Sequence, residues 1–343
     1  MKGCFTALIT PFKDDGLDNE GLDRLVAYQI QNGISGILAA GTTGESPTLS
    51  WEEVYGLIKR VAEGTRGQVL CVAGTGSNNT QEALEATQQA VLAGAEAVLL
   101  VDPYYNGPSS LEIRREYVSP IAEANPGVQI VPYIIPGRTG AQLMPEDLAL
   151  LSRRYNNVKT VKEATGSLEN MRRTRALCGE DFSILSGDDG MTLEMMSDPA
   201  IRAAGVISVY SNVLPGAVCT LVNAICSGDL ETARTLEANL APLFNLVTVK
   251  TTEQTPLGPV VCKAKNPLAV KTLMAVLGMP AGDCRRPLGR LTRTGMDLLM
   301  DAARKVHDAA PRLFEPLAEF FDVDVEARLN DPKYREGLYY EGY

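Results

Sequence analysis

The chain has 343 residues, 45% of them hydrophobic and 22% charged, with a formal net charge of −10. This is ordinary globular composition, long enough to bury a sizeable core, and its acidity argues against nucleic acid or an anionic membrane as the main partner. A single histidine, His307, and seven scattered cysteines with no C-x-x-C pair argue against histidine-based triads, histidine-ligated metals, zinc sites and a disulfide framework.

Reduced thiols point to the cytoplasm. The start, Met1-Lys2-Gly3-Cys4-Phe5 running into Thr10-Pro11 and Asp14-Asp15, fits no secretory signal. No apolar run is long enough to span a bilayer.

Residues 5–10 read as a strand closed by Pro11 and the turn Asp14-Asp15-Gly16. Residues 19–32 are amphipathic, with Leu22, Leu25, Val26 and Ile30 on one face and Gly33 as a C-cap. A small buried strand over 36–40 runs into Gly41-Thr42-Thr43-Gly44-Glu45. A helix over 51–63 precedes a strand over 68–73, which ends in Gly74-Thr75-Gly76. A helix over 80–93, a strand over 97–101 and the loop Asp102-Pro103-Tyr104-Tyr105-Asn106 come next. A helix over 111–124 leads to a strand over 128–133, which runs into Pro136-Gly137-Arg138-Thr139-Gly140.

After a helix over 145–154, the apolar and β-branched stretch around Val158 and Val161 reads as a buried strand, with Lys162 at its C-terminal end and Thr165-Gly166 as the closing turn. A helix over 168–178, a strand over 182–185 with Gly187-Asp188-Asp189-Gly190 behind it, and a strand over 205–209 complete the alternation. Helices over 217–227, 230–247, 267–277 and 294–307 follow.

Strands alternating with helices about eight times predict a parallel sheet covered by helices. A closed (β/α)8 TIM barrel over residues 1–226 is the leading architecture, with a C-terminal helical region over 227–310 and a further tail over 311–343. A doubly wound sheet is the alternative, weakened because no strand is followed by G-x-G-x-x-G.

The unusual residues follow the strands. Thr42 and Thr43 follow one, Tyr104 and Tyr105 another, Tyr133 and Arg138 a third, Lys162 a fourth and Asp188 a fifth. In a barrel all those ends share one face, where active sites are built. Each alone has a plain structural reading: a turn, loop packing, a surface ion pair, a strand-end lysine or a helix N-cap. Together they supply an amine that burial would turn into a nucleophile, phenols for proton transfer, hydroxyls and amides for one carboxylate, and a guanidinium for another. That set suits imine chemistry on a keto acid.

The chain resembles the pyruvate-dependent lyases of the dihydrodipicolinate synthase and N-acetylneuraminate lyase superfamily over about residues 3–305. The resemblance rests on G-T-T-G-E from Gly41, P-Y-Y-N from Pro103, Y-x-x-P-G-R-T-G from Tyr133, K-E-A-T-G from Lys162, S-G-D-D from Ser186 and G-V-I-S-V from Gly205. It implies that Lys162 forms a Schiff base with pyruvate and that Thr42 and Thr43 hold the pyruvate carboxylate. Gly187 and the Ile207 carbonyl would line the substrate. Tyr133 would shuttle protons through Thr42 to Tyr105, which would come from a second subunit across a tight dimer interface. The expected assembly is a homo-oligomer, a dimer of dimers, with no metal or dissociable cofactor.

In the synthase branch of that superfamily the arginine matching Arg138 binds the acceptor's carboxylate, so the resemblance implies L-aspartate 4-semialdehyde as the acceptor and synthesis of 4-hydroxy-tetrahydrodipicolinate, on the route to diaminopimelate and lysine. Ile134 departs from the family's usual asparagine and predicts altered hydrogen bonding near Tyr133 or in the acceptor pocket. It is the best support for another aldehyde acceptor within the superfamily; a non-catalytic keto-acid scaffold is the remaining alternative. Asn78, Glu82 and Tyr104 match an allosteric lysine pocket, but Trp51 and Val54 stand where lysine-sensitive members carry polar groups, so weak or absent lysine inhibition is expected. The segment 248–265 is longer than usual. The tail aromatics Phe320-Phe321 and Tyr339-Tyr340 either dock on the barrel or a neighbouring subunit, or belong to a loose extension.

Overall fold

The structure, a computed structural model, describes residues 1–14 and 16–343. Its centre is a ring of eight short apolar strands: β1 (Gly3–Ala7), β2 (Gly36–Ala39), β3 (Leu70–Gly74), β4 (Ala97–Val101), β5 (Gln129–Ile134), β6 (Thr160–Glu163), β7 (Ser183–Ser186) and β8 (Gly205–Ser208). Each pairs in parallel with the next, and β8 returns to β1 with Phe5 opposite Ile207, so the sheet closes and the doubly wound alternative falls. Closure buries both faces of every strand, which is why they read as near-continuous apolar runs. Phe5, Leu38, Val72, Leu99, Val131 and Leu185 fill the interior. The outward-facing residues join the helices in a second, larger core.

The helices form where capping and periodicity agree. Asn79 accepts from the Gln81 N–H and Gly94 closes the far end at φ 101°, so the helix Thr80–Ala93 has the bounds its sequence predicts. Pro145–Arg154 starts on its proline, and Leu168–Cys178 on Ser167, which accepts from the Asn170 N–H. After β8 the chain forms Pro215–Ser227, Leu230–Phe244, Leu268–Val276 and Arg293–Ala309.

The expected helical C-terminal region over 227–310 is interrupted. Residues 248–265 form an antiparallel hairpin, β9 (Val249–Thr255) and β10 (Gly258–Ala264). Val249 and Thr251 alternate inward against exposed neighbours, the period of a one-sided strand. The tail is docked on its own chain. Its helix Glu315–Phe321 sets the Phe320 and Phe321 rings 5.3 and 5.1 Å from Tyr28, and Tyr339–Tyr340 pairs with Leu291–Thr292. Phe314, Leu317 and Leu329 belong to the same continuous core as the barrel helices.

Candidate active site

Lys162 sits one residue before the end of β6 with its side chain inside the barrel mouth, 5% exposed. Burial disfavours the ammonium and pulls the amine down to about 7; the Asp189 carboxylate opposes this and the Arg138 guanidinium adds to it. Tyr133 is the register partner of Lys162 on β5, and the Lys162 Nζ lies 4.3 Å from the centre of its ring. Burial pushes the Tyr133 phenol up to about 12, so it stays protonated and can serve as an acid.

The neighbouring strand ends are shaped around this amine. A Cβ on Gly187 would stand 2.9 Å from the Ala164 Cβ and 3.2 Å from the Lys162 Cε, so a glycine lets the chain after β7 pass beside the lysine. Asp189 accepts from the Val209 and Tyr210 N–H groups at 2.9 and 3.0 Å, tying the end of β7 to the end of β8, on which buried Ile207 lies. The Asp188 carboxylate accepts from the Gly190 N–H and caps the short turn Asp189–Met191, its plain structural reading.

The Thr42–Thr43 loop is held from outside the barrel. Ala40 and Glu45 carry positive φ values of 53° and 58° at its two ends. The Thr10 hydroxyl donates to the Gly44 carbonyl at 2.6 Å. Glu45 forms a fully buried ion pair with Lys271 at 2.5 Å and accepts from the Arg285 N–H at 2.9 Å. The Lys271 ammonium also lies 4.1 Å from the centre of the Phe12 ring. Asn266 donates from Nδ2 to the Thr43 hydroxyl oxygen at 2.9 Å, and its carbonyl accepts from Arg138 Nη2 at 3.4 Å. Asn266 and Lys271 are positions that sequence reasoning missed. Beside Pro267 an asparagine reads as a helix cap, and only the fold brings 266 to 43.

Arg138 lies on the short turn Pro136–Thr139 and lines a cavity of about 370 Å3. Thr42 reaches the same cavity, as do Asn78, Glu82, Tyr104, Trp51 and Val54. Trp51 stacks on Tyr55 at 5.9 Å, and Glu82 is held by the Ser77 hydroxyl at 2.7 Å. Tyr105 is not brought to Lys162 within the chain: it is 91% exposed, at φ 79°. Ile134 corrects an expectation. Strand alternation turns it away from Tyr133 into the outer core, where it lines neither the barrel mouth nor the cavity. Among the described residues no group of three or more His, Cys, Asp or Glu side chains is placed to hold a metal.

The architecture and this strand-end amine define a (β/α)8 barrel of the kind that can form an imine. The model of the dihydrodipicolinate synthetase family matches residues 1–306, and the chain belongs to that family. It is 42% identical over 288 residues to a 4-hydroxy-tetrahydrodipicolinate synthase of Geobacter sulfurreducens, covering 84% of this chain and 92% of the relative. The identity is also 42%, over 310 residues, to the synthase so named in Methanothrix thermoacetophila, covering 90% and 98%. The solved structure of the 4-hydroxy-tetrahydrodipicolinate synthase of Methylacidiphilum fumariolicum superposes with a TM-score of 0.84 at 36% identity, covering 92% of this chain and 99% of that one.

Proposed function

We propose that this protein condenses pyruvate with L-aspartate 4-semialdehyde to 4-hydroxy-tetrahydrodipicolinate, the product that its relatives' names give for them. The observation that carries the reading is the buried Lys162 amine with its affinity for protons lowered, facing the Tyr133 phenol. The neutral amine attacks the pyruvate keto carbon and water leaves, giving an iminium that draws electrons from the methyl group. The methyl loses a proton, and the resulting enamine attacks the aldehyde carbon. Tyr133 supplies a proton to the new alkoxide and is replenished through Thr42 and Tyr105. The acceptor's own amine then displaces Lys162 and closes the ring.

Thr42 and Thr43 bind the pyruvate carboxylate, Gly187 and the Ile207 carbonyl flank the pyruvate-derived carbons, and Arg138 takes the acceptor carboxylate through its planar fork. The imine is itself the electron sink, so the reading needs no metal or dissociable cofactor. Tyr105, exposed on its own chain, serves the site of a second copy, in a homo-oligomer built as a dimer of dimers. The free cysteines fit a cytoplasmic enzyme; no helix of the described residues is long and apolar enough to cross a membrane. Other aldehyde acceptors lose their main support because Ile134 faces away from the site. Trp51 and Val54 set an aromatic and an aliphatic side chain in the same cavity as Asn78, Glu82 and Tyr104, so lysine inhibits weakly or not at all; strong inhibition by sub-millimolar lysine would overturn that part.

The test is turnover of pyruvate with aspartate semialdehyde, coupled to a dihydrodipicolinate reductase. Turnover that is abolished in Lys162→Ala and badly impaired in Arg138→Ala is expected. No turnover, with pyruvate still trapped on Lys162 by borohydride, would mean that the acceptor is wrong and the imine chemistry right.

A further inference from the structure

One residue of the C-terminal region reaches both substrate-carboxylate groups at the barrel mouth. Asn266 directly follows the loop after β10, is 8% exposed, and touches both groups assigned to substrate carboxylates. Its Nδ2 donates to the Thr43 oxygen at 2.9 Å, and its carbonyl receives Arg138. The other end of the amide, Oδ1, is buried with no hydrogen-bond partner. An asparagine kept only to knit a loop together would satisfy both ends, because an orphaned buried acceptor is costly.

We propose that Asn266 is a positioning residue for keto-acid binding: by donating to the Thr43 oxygen it leaves the Thr43 hydroxyl hydrogen free to point at the pyruvate carboxylate, while its main chain steadies Arg138 beside it. A hydroxyl has one hydrogen and two acceptor lone pairs. With one lone pair taken by an amide N–H, its hydrogen must be spent elsewhere. Among the described residues Thr43, which is 3% exposed, has no other side-chain hydrogen bond, so its hydrogen goes to no protein group. The ligand that would receive it is a carboxylate, whose oxygens only accept. The inference rests on the pyruvate reading of the site.

The test uses the full chain and measures borohydride trapping of pyruvate and steady-state turnover, with melting as a check on folding. Asn266→Ala should raise the KM for pyruvate and the half-saturation of trapping about five- to tenfold, the worth of one ordinary hydrogen bond, with kcat changed less. Asn266→Asp, nearly isosteric, should do more, because a carboxylate captures the Thr43 hydrogen and repels pyruvate. Asn266→Ala added to Thr43→Val should cost little beyond Thr43→Val alone, since the two act through one hydroxyl. Unchanged half-saturation in both Asn266 variants, or fully multiplicative losses in the double variant, would overturn the proposal. If the parent protein does not trap pyruvate at all, the pyruvate reading itself fails and this inference with it.

Discussion

A lysine amine near neutral is chemically useful and structurally costly, and both sides can be measured at Lys162. At pH 7 an amine pulled down to about 7 is half free base, roughly a thousandfold more than an ordinary lysine. The rate of pyruvate trapping should therefore climb to a plateau through about pH 7 instead of rising into the range of free lysine. The stability effect has the opposite preference. Between the folded value near 7 and the ordinary value near 10.4, the unfolded chain holds a proton the folded chain lacks, so this residue's contribution to stability improves as pH rises across that window. Below it the penalty is fully present. Lys162→Met should be inactive yet melt higher than the parent at about pH 6, by on the order of 2 kcal/mol, with the gap closing towards pH 10. Equal melting of the two proteins at both pH values would show that the buried amine carries no penalty.

At the scale of elements, buried ionisable groups hold loops at the barrel mouth. The Glu45–Lys271 pair fixes the threonine loop to the helix Leu268–Val276, with both side chains almost wholly enclosed. Lys271→Met leaves the Glu45 carboxylate buried without its countercharge and should cost about 3–5 kcal/mol in urea unfolding, more than any exposed ion pair here. Asp102, directly after β4, accepts from the Leu143 N–H at 3.0 Å. Burial raises its carboxyl to about 7, and the Glu163 charge adds to the rise. Here the folded state holds the proton more tightly, so stability falls as pH rises from the unfolded value near 3.9 to about 7. Asp102→Asn keeps an acceptor for Leu143 and removes the charge. It should be more stable than the parent at about pH 8 by on the order of 2 kcal/mol and no better at about pH 4, as thermal melts at the two pH values would report.

For the whole molecule, the tail and the assembly are the points to test. Phe314, Leu317, Phe321 and Leu329 are buried tail residues, each worth about 1.5–3 kcal/mol. Their sum is comparable with the net stability of a typical domain. A chain ending at Ala310 should therefore fail to fold or melt far below the full chain, seen by circular dichroism; an unchanged melting point would make the tail an ornament. The assembly is tested by mixing. If Tyr105 serves the neighbouring site, Lys162→Ala and Tyr105→Phe proteins, each nearly inactive, should regain activity when unfolded and refolded together, because a hybrid dimer contains one site with an intact Lys162 and an intact Tyr105. No regain would place Tyr105 at its own chain's site or at none.

The sequence by itself determined the parts governed by local periodicity and by capping. The eight barrel strands, the helices with strong caps such as Thr80–Ala93, and the clustering of Thr42, Tyr133, Arg138 and Lys162 at strand ends were legible because each depends on neighbours a few residues away. Closure of the sheet then turns strand ends into one face, so the site followed from the topology. Only the tertiary structure decided that residues 248–265 form a hairpin, since their alternation is one-sided and weak, and that the tail docks on Tyr28. It also decided the side on which Ile134 lies, which strand alternation fixes once the barrel's interior is known. Asn266 and Lys271 reach Thr43 and Glu45 across more than two hundred residues of chain. Contacts over such separations leave no local pattern, because what joins them is the folding of the C-terminal helices over the mouth of the barrel.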